Sequence, residues 1–432
     1  MGSPRRPRLN MWPSHKSRSV VPLPRQLDPL SERLIREMLE ELFDRKLKIS
    51  VLKNLYDPPK KLSLFSIGVQ LCVAEAIPET SGKVTMKVFA KFFSTTDEFA
   101  AITCLTQVQF LREYEFYVRA VPAILEYQDH FNDEPPITKI LPFFFGGKLS
   151  DNKNAVWPDD TGIILLKYIT PVHYKKHEDY PGITASIAER ALRTLARFHG
   201  LFLALRLKYP LKFQSKVSPC LIRFKRNDDV PNFDDIMDHV DLCLQNSQPK
   251  LTSAQCEAFK FAIKISQLSF WTKRKANPDW FTVCHSNCWV GSFRFKDAMM
   301  DKNVKIKNFE NVEYNSLCTD VAFFLLTSLN ATALKDNYKS LTQFYFEQLS
   351  KTMAHLGVHQ KKIYNLQNFM AELQMQGPKA LINAIITSSY MCRENFDALG
   401  QPELGEKFRR KLMTMIEFMF RESWITAPIP II

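Results

Sequence analysis

The sequence predicts an α+β protein of two lobes, a small lobe of sheet plus helix followed by a larger helical one. Runs rich in β-branched and aromatic residues crowd into the part before about residue 170. Beyond it, apolar residues recur at helical spacing, and a loop-rich stretch from 275 to 318 interrupts the helices. With 432 residues, 45% of them apolar and 24% charged, the chain has the composition of a folded protein with a sizeable core.

Asp28 and Pro29 signal the start of a first helix, with Leu34, Met38, Leu39, Leu42 and Phe43 as its apolar stripe. LSLFSIGVQLCVAEAI and KVTMKVFAKFF, separated by ETSG, read as two strands in a hairpin-like arrangement. A long helix carrying FLREYEFYV follows over roughly 97 to 120. PFFFGG and GIILLKYI then look like strands. In the second half, SIAERALRTLARFHGLFLALRLKY brings Ile187, Leu192, Leu195, Phe198, Phe202 and Leu205 close to one face. Further helical patterns run near 252 to 272, 319 to 330, 338 to 356 and 403 to 424, and there is no internal repeat. This divides the chain into a basic tail (1–27), a first lobe (28–170) and a second lobe (171–432).

The net charge of +13 favours anionic partners in general. Part of it sits in Arg5, Arg6, Arg8, Lys16, Arg18 and Arg25 of a proline-bearing N-terminal stretch without acids, read as a disordered, solvated tail. That stretch has no apolar h-region of a secretory signal, and no apolar run is long enough to span a membrane. No nucleic-acid motif accompanies the charge. Nine scattered cysteines without a CxxC pair fit reduced thiols in a cytoplasmic protein rather than a zinc site or a disulfide framework. The pairs His173/His177 and His355/His359 have helical spacing but lack the glutamate of a zinc protease motif, so they read as surface or packing histidines. Glycine, at 13 residues, falls well short of the about thirty that average usage would give. A glycine-rich phosphate cradle is therefore not expected.

Lys91 in VFAKFF lies at the end of a predicted strand, and Glu113 lies on the helix that follows. A strand lysine paired with a helix glutamate is how kinase-like folds orient ATP phosphates, although most such residues are simply surface charges. Further on come HSNCWVGSF and, sixteen residues after Ser292, NFE. Together these resemble the insect ecdysteroid-kinase-like group, also called CHK or choline-kinase-like, related to aminoglycoside phosphotransferases and distantly to protein kinases. The family carries H-G-D-x-W-x-x-N-x-x-F, then D-F-Q, then an aspartate opening a helix. His285, Trp289 and Phe295 match the first motif, Phe309 the second and Asp320 the third. Upstream, Phe110, Glu113 and Tyr117 match F-x-x-E-x-x-x-Y, and Leu195, Ala196, Phe198 and His199 match a leucine-alanine-x-phenylalanine-histidine run. The matches keep their order from about residue 30 to 425. The resemblance implies a two-lobed protein-kinase-like fold, ATP and magnesium as cofactors, and a hydroxylated lipophilic substrate. It also implies that Asp320 supports the 285–289 loop and that His285 braces it.

The departures bear on chemistry. Asn287 stands at the catalytic-aspartate position, Ser292 at the metal-binding asparagine, Asn308 at the D-F-Q aspartate and Ser286 at the loop glycine. A G-x-N-x-x-S turn of the family aligns with Lys61, Ser63 and Ser66, without its glycine. An amide is far too weak a base to take a hydroxyl proton near neutral pH. Magnesium wants anionic oxygen ligands, and Asn308 and Ser292 offer only neutral ones. If residues 304 to 309 form a strand, Glu310 shares a face with Asn308 and could take over the metal. Otherwise it is a solvent-exposed or structural acid. The leading expectation is a catalytically impaired kinase-like protein that binds ATP and magnesium weakly or not at all and acts by binding a small ligand or a protein partner. The alternative is an active ATP-dependent small-molecule phosphotransferase with non-standard residues. A third reading, from charge alone, is an anion binder engaging nucleic acid or membrane.

Overall fold

A computed structural model describes residues 29–43, 47–54, 69–78, 86–93, 100–169, 174–177, 180–221, 234–247, 250–269, 278–296, 303–359, 363–392, 395–396 and 402–426. The basic tail, the turn around Lys61, Ser63 and Ser66, and His173 lie outside them. The architecture is the two-lobed α+β arrangement of protein-kinase-like folds.

In the first lobe, helix α1 (Pro29–Phe43) buries Leu34, Ile35 and Leu39. Leu42, expected on that stripe, is exposed. Strands β1 (Leu47–Asn54), β2 (Val69–Pro78) and β3 (Met86–Phe93) pair antiparallel, β1 being an addition to the predicted hairpin. The alternation of β3 decides the geometry of the site. Val88, Ala90 and Phe92 pack with α1, while Phe93 turns to the other face and meets Phe110 with ring centroids 5.8 Å apart. By the period of two, Lys91 shares the Phe93 face.

Helix α2 (Ala100–Glu115) crosses that face, widens into a π-turn (Phe116–Ala120) and continues as α3 (Val121–Phe131). The helix thus runs past its predicted end near residue 120. Pro122, in the first turn of α3, follows on the π-turn. Strands β4 (Phe144–Lys148) and β5 (Ile163–Lys167) complete a sheet of order β1-β2-β3-β5-β4.

The second lobe begins with β6 (Tyr174–Lys175), α4 (Ala185–Lys208), α5 (Pro210–Lys212), α6 (Asp234–Gln245) and α7 (Ser253–Ser269). Strands β7 (Phe281–Cys284), β8 (Phe293–Lys296), β9 (Val304–Ile306) and β10 (Glu313–Ser316) form two small sheets, β10-β7 and β6-β8-β9. Helices α8 (Leu317–Ser328), α9 (Ala331–Asp336), α10 (Tyr338–His355), α11 (Leu366–Gln376) and α12 (Leu381–Met391) follow. A short pair β11 (Asn395–Phe396) and β12 (Pro402–Glu403) precedes α13 (Glu406–Arg421).

Gly200 lets α4 and α10 approach closely: a Cβ there would lie 2.8 Å from Thr352 Cγ2. His355 closes α10 and His359 lies beyond it, so that pair does not share a helix. Among the described residues no helix is long and apolar enough to cross a membrane, and Cys220, Cys243, Cys256, Cys284, Cys288, Cys318 and Cys392 are free thiols.

Candidate functional site

The loop 285–292 joins β7 to β8 and is held from beneath by α8. Asp320, in the first turn of α8, accepts the His285 amide (2.6 Å) on Oδ2 and the Ser286 amide (2.9 Å) on Oδ1. His199 of α4 approaches the same carboxylate at 3.1 Å and reaches Tyr345 Oη at 2.6 Å on its other side. Burial pushes the Asp320 carboxyl up. The His199 contact and the loop amide outweigh it and hold the group below its ordinary range. His285 donates from Nε2 to the Lys307 carbonyl (2.9 Å) and accepts the Asn287 amide on Nδ1 (3.2 Å). Both ring nitrogens are used, and burial lowers the pKa, so His285 is a neutral brace.

Ser286 adopts φ +58, the left-handed conformation that explains the glycine of the family motif, at a cost of ~1–2 kcal/mol for a residue with a Cβ. Asn308 has φ +69, which asparagine tolerates better than most residues. Strand β9 ends at Ile306, so Asn308 and Glu310 do not lie on one strand and the period-of-two expectation does not apply. Ser292 is buried and donates its hydroxyl to the Asn287 carbonyl (2.6 Å), closing the loop on itself.

Above the loop, Lys91 Nζ lies 2.5 Å from Glu113 Oε2 and 3.2 Å from Glu310 Oε2. The three residues are 7%, 2% and 5% exposed. Burial pulls the Lys91 pKa down, but the charge of Glu113 and then Glu310 pushes it up to about 12. Burial, aided by the Glu310 charge, raises Glu113 despite the ammonium. Both directions fit one buried cation shared between two carboxylates. Glu113 Oε1 also accepts the Phe309 amide at 3.3 Å. The Phe309 ring stacks on Phe116 (4.3 Å, 11°) and meets His285 edge-on (5.1 Å). Phe309 thereby ties the Glu113 helix to the 285–292 loop.

Buried polar atoms without a partner gather around these residues. They are Ser286 Oγ, Asn287 Nδ2, Glu310 Oε1, Asn311 Nδ2 and Tyr117 Oη. Leaving such atoms unmade costs about 1–3 kcal/mol each, which a ligand or ordered water recovers. Asn311 Oδ1 takes a hydrogen bond from Gln109 at 3.1 Å. Sequence reasoning missed both residues, and only the place of Asn311 next to the NFE motif could have flagged it.

His199, Cys284 and Asp320 present ligand atoms within 4.8 Å of one another, the spacing of a metal cluster. The groups are otherwise engaged. Asp320 serves two loop amides, and Cys284 faces the Asn315 carbonyl at 3.3 Å with its thiol pushed well up by burial.

A family model described as the ecdysteroid kinase-like family matches residues 69–358, more than half of the chain. The chain belongs to the ecdysteroid kinase-like family. Among solved structures, this family member is similar to an ethanolamine kinase of Plasmodium vivax. The two share 11% identity over 89% of this chain and 83% of that one, with a TM-score of 0.36. It is also similar to a microcompartment-associated aminopropanol kinase (8% identity, 90% and 97% covered, TM-score 0.42). A spectinomycin phosphotransferase in complex with ADP and spectinomycin gives 10% identity, 91% and 98% covered, and a TM-score of 0.39. No curated protein matches the sequence. The family is one of ATP-dependent kinase-like proteins, and the altered positions Asn287, Ser292 and Asn308 lie within the matched span.

Proposed function

We propose that this chain is a slow ATP-dependent phosphotransferase acting on a small hydroxylated lipophilic molecule, an ecdysteroid-like alcohol being the class that the family description suggests. The observation that carries the reading is the Lys91–Glu113–Glu310 group beside the braced loop, with one carboxylate oxygen of Glu310 buried and unpartnered. Lys91 orients nucleotide phosphates and Glu113 holds Lys91 in place. Magnesium requires hard oxygen ligands, and the unpartnered Glu310 carboxylate oxygen is a ligand of that kind. When bound, the metal neutralises charge on the transferred phosphoryl group. Asn287 lies at the base position and orients the attacking hydroxyl without taking its proton. Phosphoryl transfer through a loose transition state depends mainly on positioning and charge, so the missing base slows the reaction, by about 10²–10⁴-fold, rather than forbidding it.

ATP consumption across a panel of hydroxylated lipophilic compounds tests this. Turnover is expected to require magnesium and to fall at least about a hundredfold in Glu310→Gln. Absence of turnover across the panel defeats the reading. It would favour the second one, motivated by the amide at position 287: a family member that holds a small ligand or protein partner without chemistry.

A further inference from the structure

Lys91 is the cation a nucleotide phosphate has to meet, yet it is matched twice over by the chain itself. Glu113 is fixed through both oxygens, one on Lys91 and the other on the Phe309 amide. Glu310 is held through one oxygen only, on the longer contact of 3.2 Å, and its other oxygen has no partner. Of the two carboxylates, Glu310 is the one able to leave. A triphosphate approaching Lys91 finds its ammonium already matched by carboxylates of the chain, and like charges brought together at an interface are strongly unfavourable. Around the group, His285 is a neutral brace and Asn287, Asn308 and Asn311 are amides, while the charge of Lys307 reaches His285.

We infer that Glu310 is an internal cap occupying on Lys91 the place of a nucleotide phosphate, so that nucleotide enters only after a divalent cation on the free Glu310 oxygen has drawn the carboxylate away. This rests on the nucleotide-binding reading above and adds an order to it, cation before nucleotide. The cap is a property of this chain's own residue: the family motif has glutamine at that position, which carries no charge.

The test uses the full chain, Glu310→Gln and Glu310→Ala, with ATP affinity measured in chelator and in magnesium. In the same samples without nucleotide, labelling of Lys91 by a small amine-reactive reagent is followed by peptide mass spectrometry. In chelator, ATP is expected to bind both variants at least about tenfold more tightly than the unmodified chain, and Lys91 is expected to label faster in both. Equal or weaker binding in chelator, beside magnesium-dependent binding by the unmodified chain, overturns the cap. If no form binds ATP under any condition, the functional reading fails, and the labelling rate decides the cap alone: an unchanged rate overturns it and a faster one supports it. Circular dichroism identifies a variant that fails to fold, and the other then carries the comparison.

Discussion

Lys91→Met is expected to abolish turnover and to lower unfolding free energy by about 3–5 kcal/mol at neutral pH, because it strands two carboxylates in a buried site. Glu113 and Glu310 are 2% and 5% exposed, and Lys91 is the ammonium in contact with both. The pH dependence separates this cause from lost packing. Burial and the Glu310 charge already raise Glu113 above its ordinary value of 4.5, and without Lys91 the remaining lowering influence is the Phe309 amide. An acid whose folded pKa is raised binds its proton more tightly when folded. Its stability contribution is therefore full below the unfolded value and lost as pH rises through the folded one. The deficit of Lys91→Met should be largest near pH 8 and shrink as pH falls, as one carboxyl takes up a proton. Adding Glu310→Gln should recover part of the loss, since a single buried carboxylate then remains. Urea unfolding of the three proteins at several pH values checks this, and a pH-independent deficit would contradict it.

Asp320→Asn is expected to be comparably damaging while leaving Lys91 and Glu113 untouched. The carboxylate accepts two consecutive loop amides on separate oxygens, and an asparagine can accept only one, presenting an NH₂ to the other. The expected loss is about 2–4 kcal/mol, a charge-assisted bond together with a buried amide left unmade. Here the sign runs the other way. The folded pKa of Asp320 lies below its ordinary 3.8, so its contribution is fully present above that value and disappears as pH falls through the folded pKa. The gap between the two proteins should stay constant from pH 8 to about 5 and close only in acid. Amide exchange of the 285–289 loop should accelerate in the variant at neutral pH.

Much of the fold was legible because period and composition carried it. KVTMKVFAKFF read as a strand, and its alternation is what turns Lys91 away from α1. Helix α10 was visible from its spacing. Helices α11 and α12 were not, for a physical reason: α12 (LINAIITSSYM) is buried over most of its length, so it lacks the one-sided stripe that marks a surface helix. Strand β1 escaped because its residues, LKISVLKN, mix lysines with short apolar runs. At the site, it was the resemblance to the family's motifs, local in sequence, that singled out Asn287, Ser292, Asn308 and Asp320. Sequence left open whether Glu310 is surface or core, because the deciding contact spans 219 positions. Nor could it reveal that the Ser292 hydroxyl is turned inward onto Asn287, which depends on the backbone path between them.

The most direct measurement is magnesium-dependent transfer of labelled γ-phosphate from ATP to a hydroxylated acceptor, comparing the unmodified chain with Asn287→Asp. A folded transfer site lacking only its base should gain about 10²–10⁴-fold in rate from that one substitution, and the gain should vanish when Glu310→Gln is added. An Asn287→Asp protein that remains folded and transfers no faster than the unmodified chain would contradict the account.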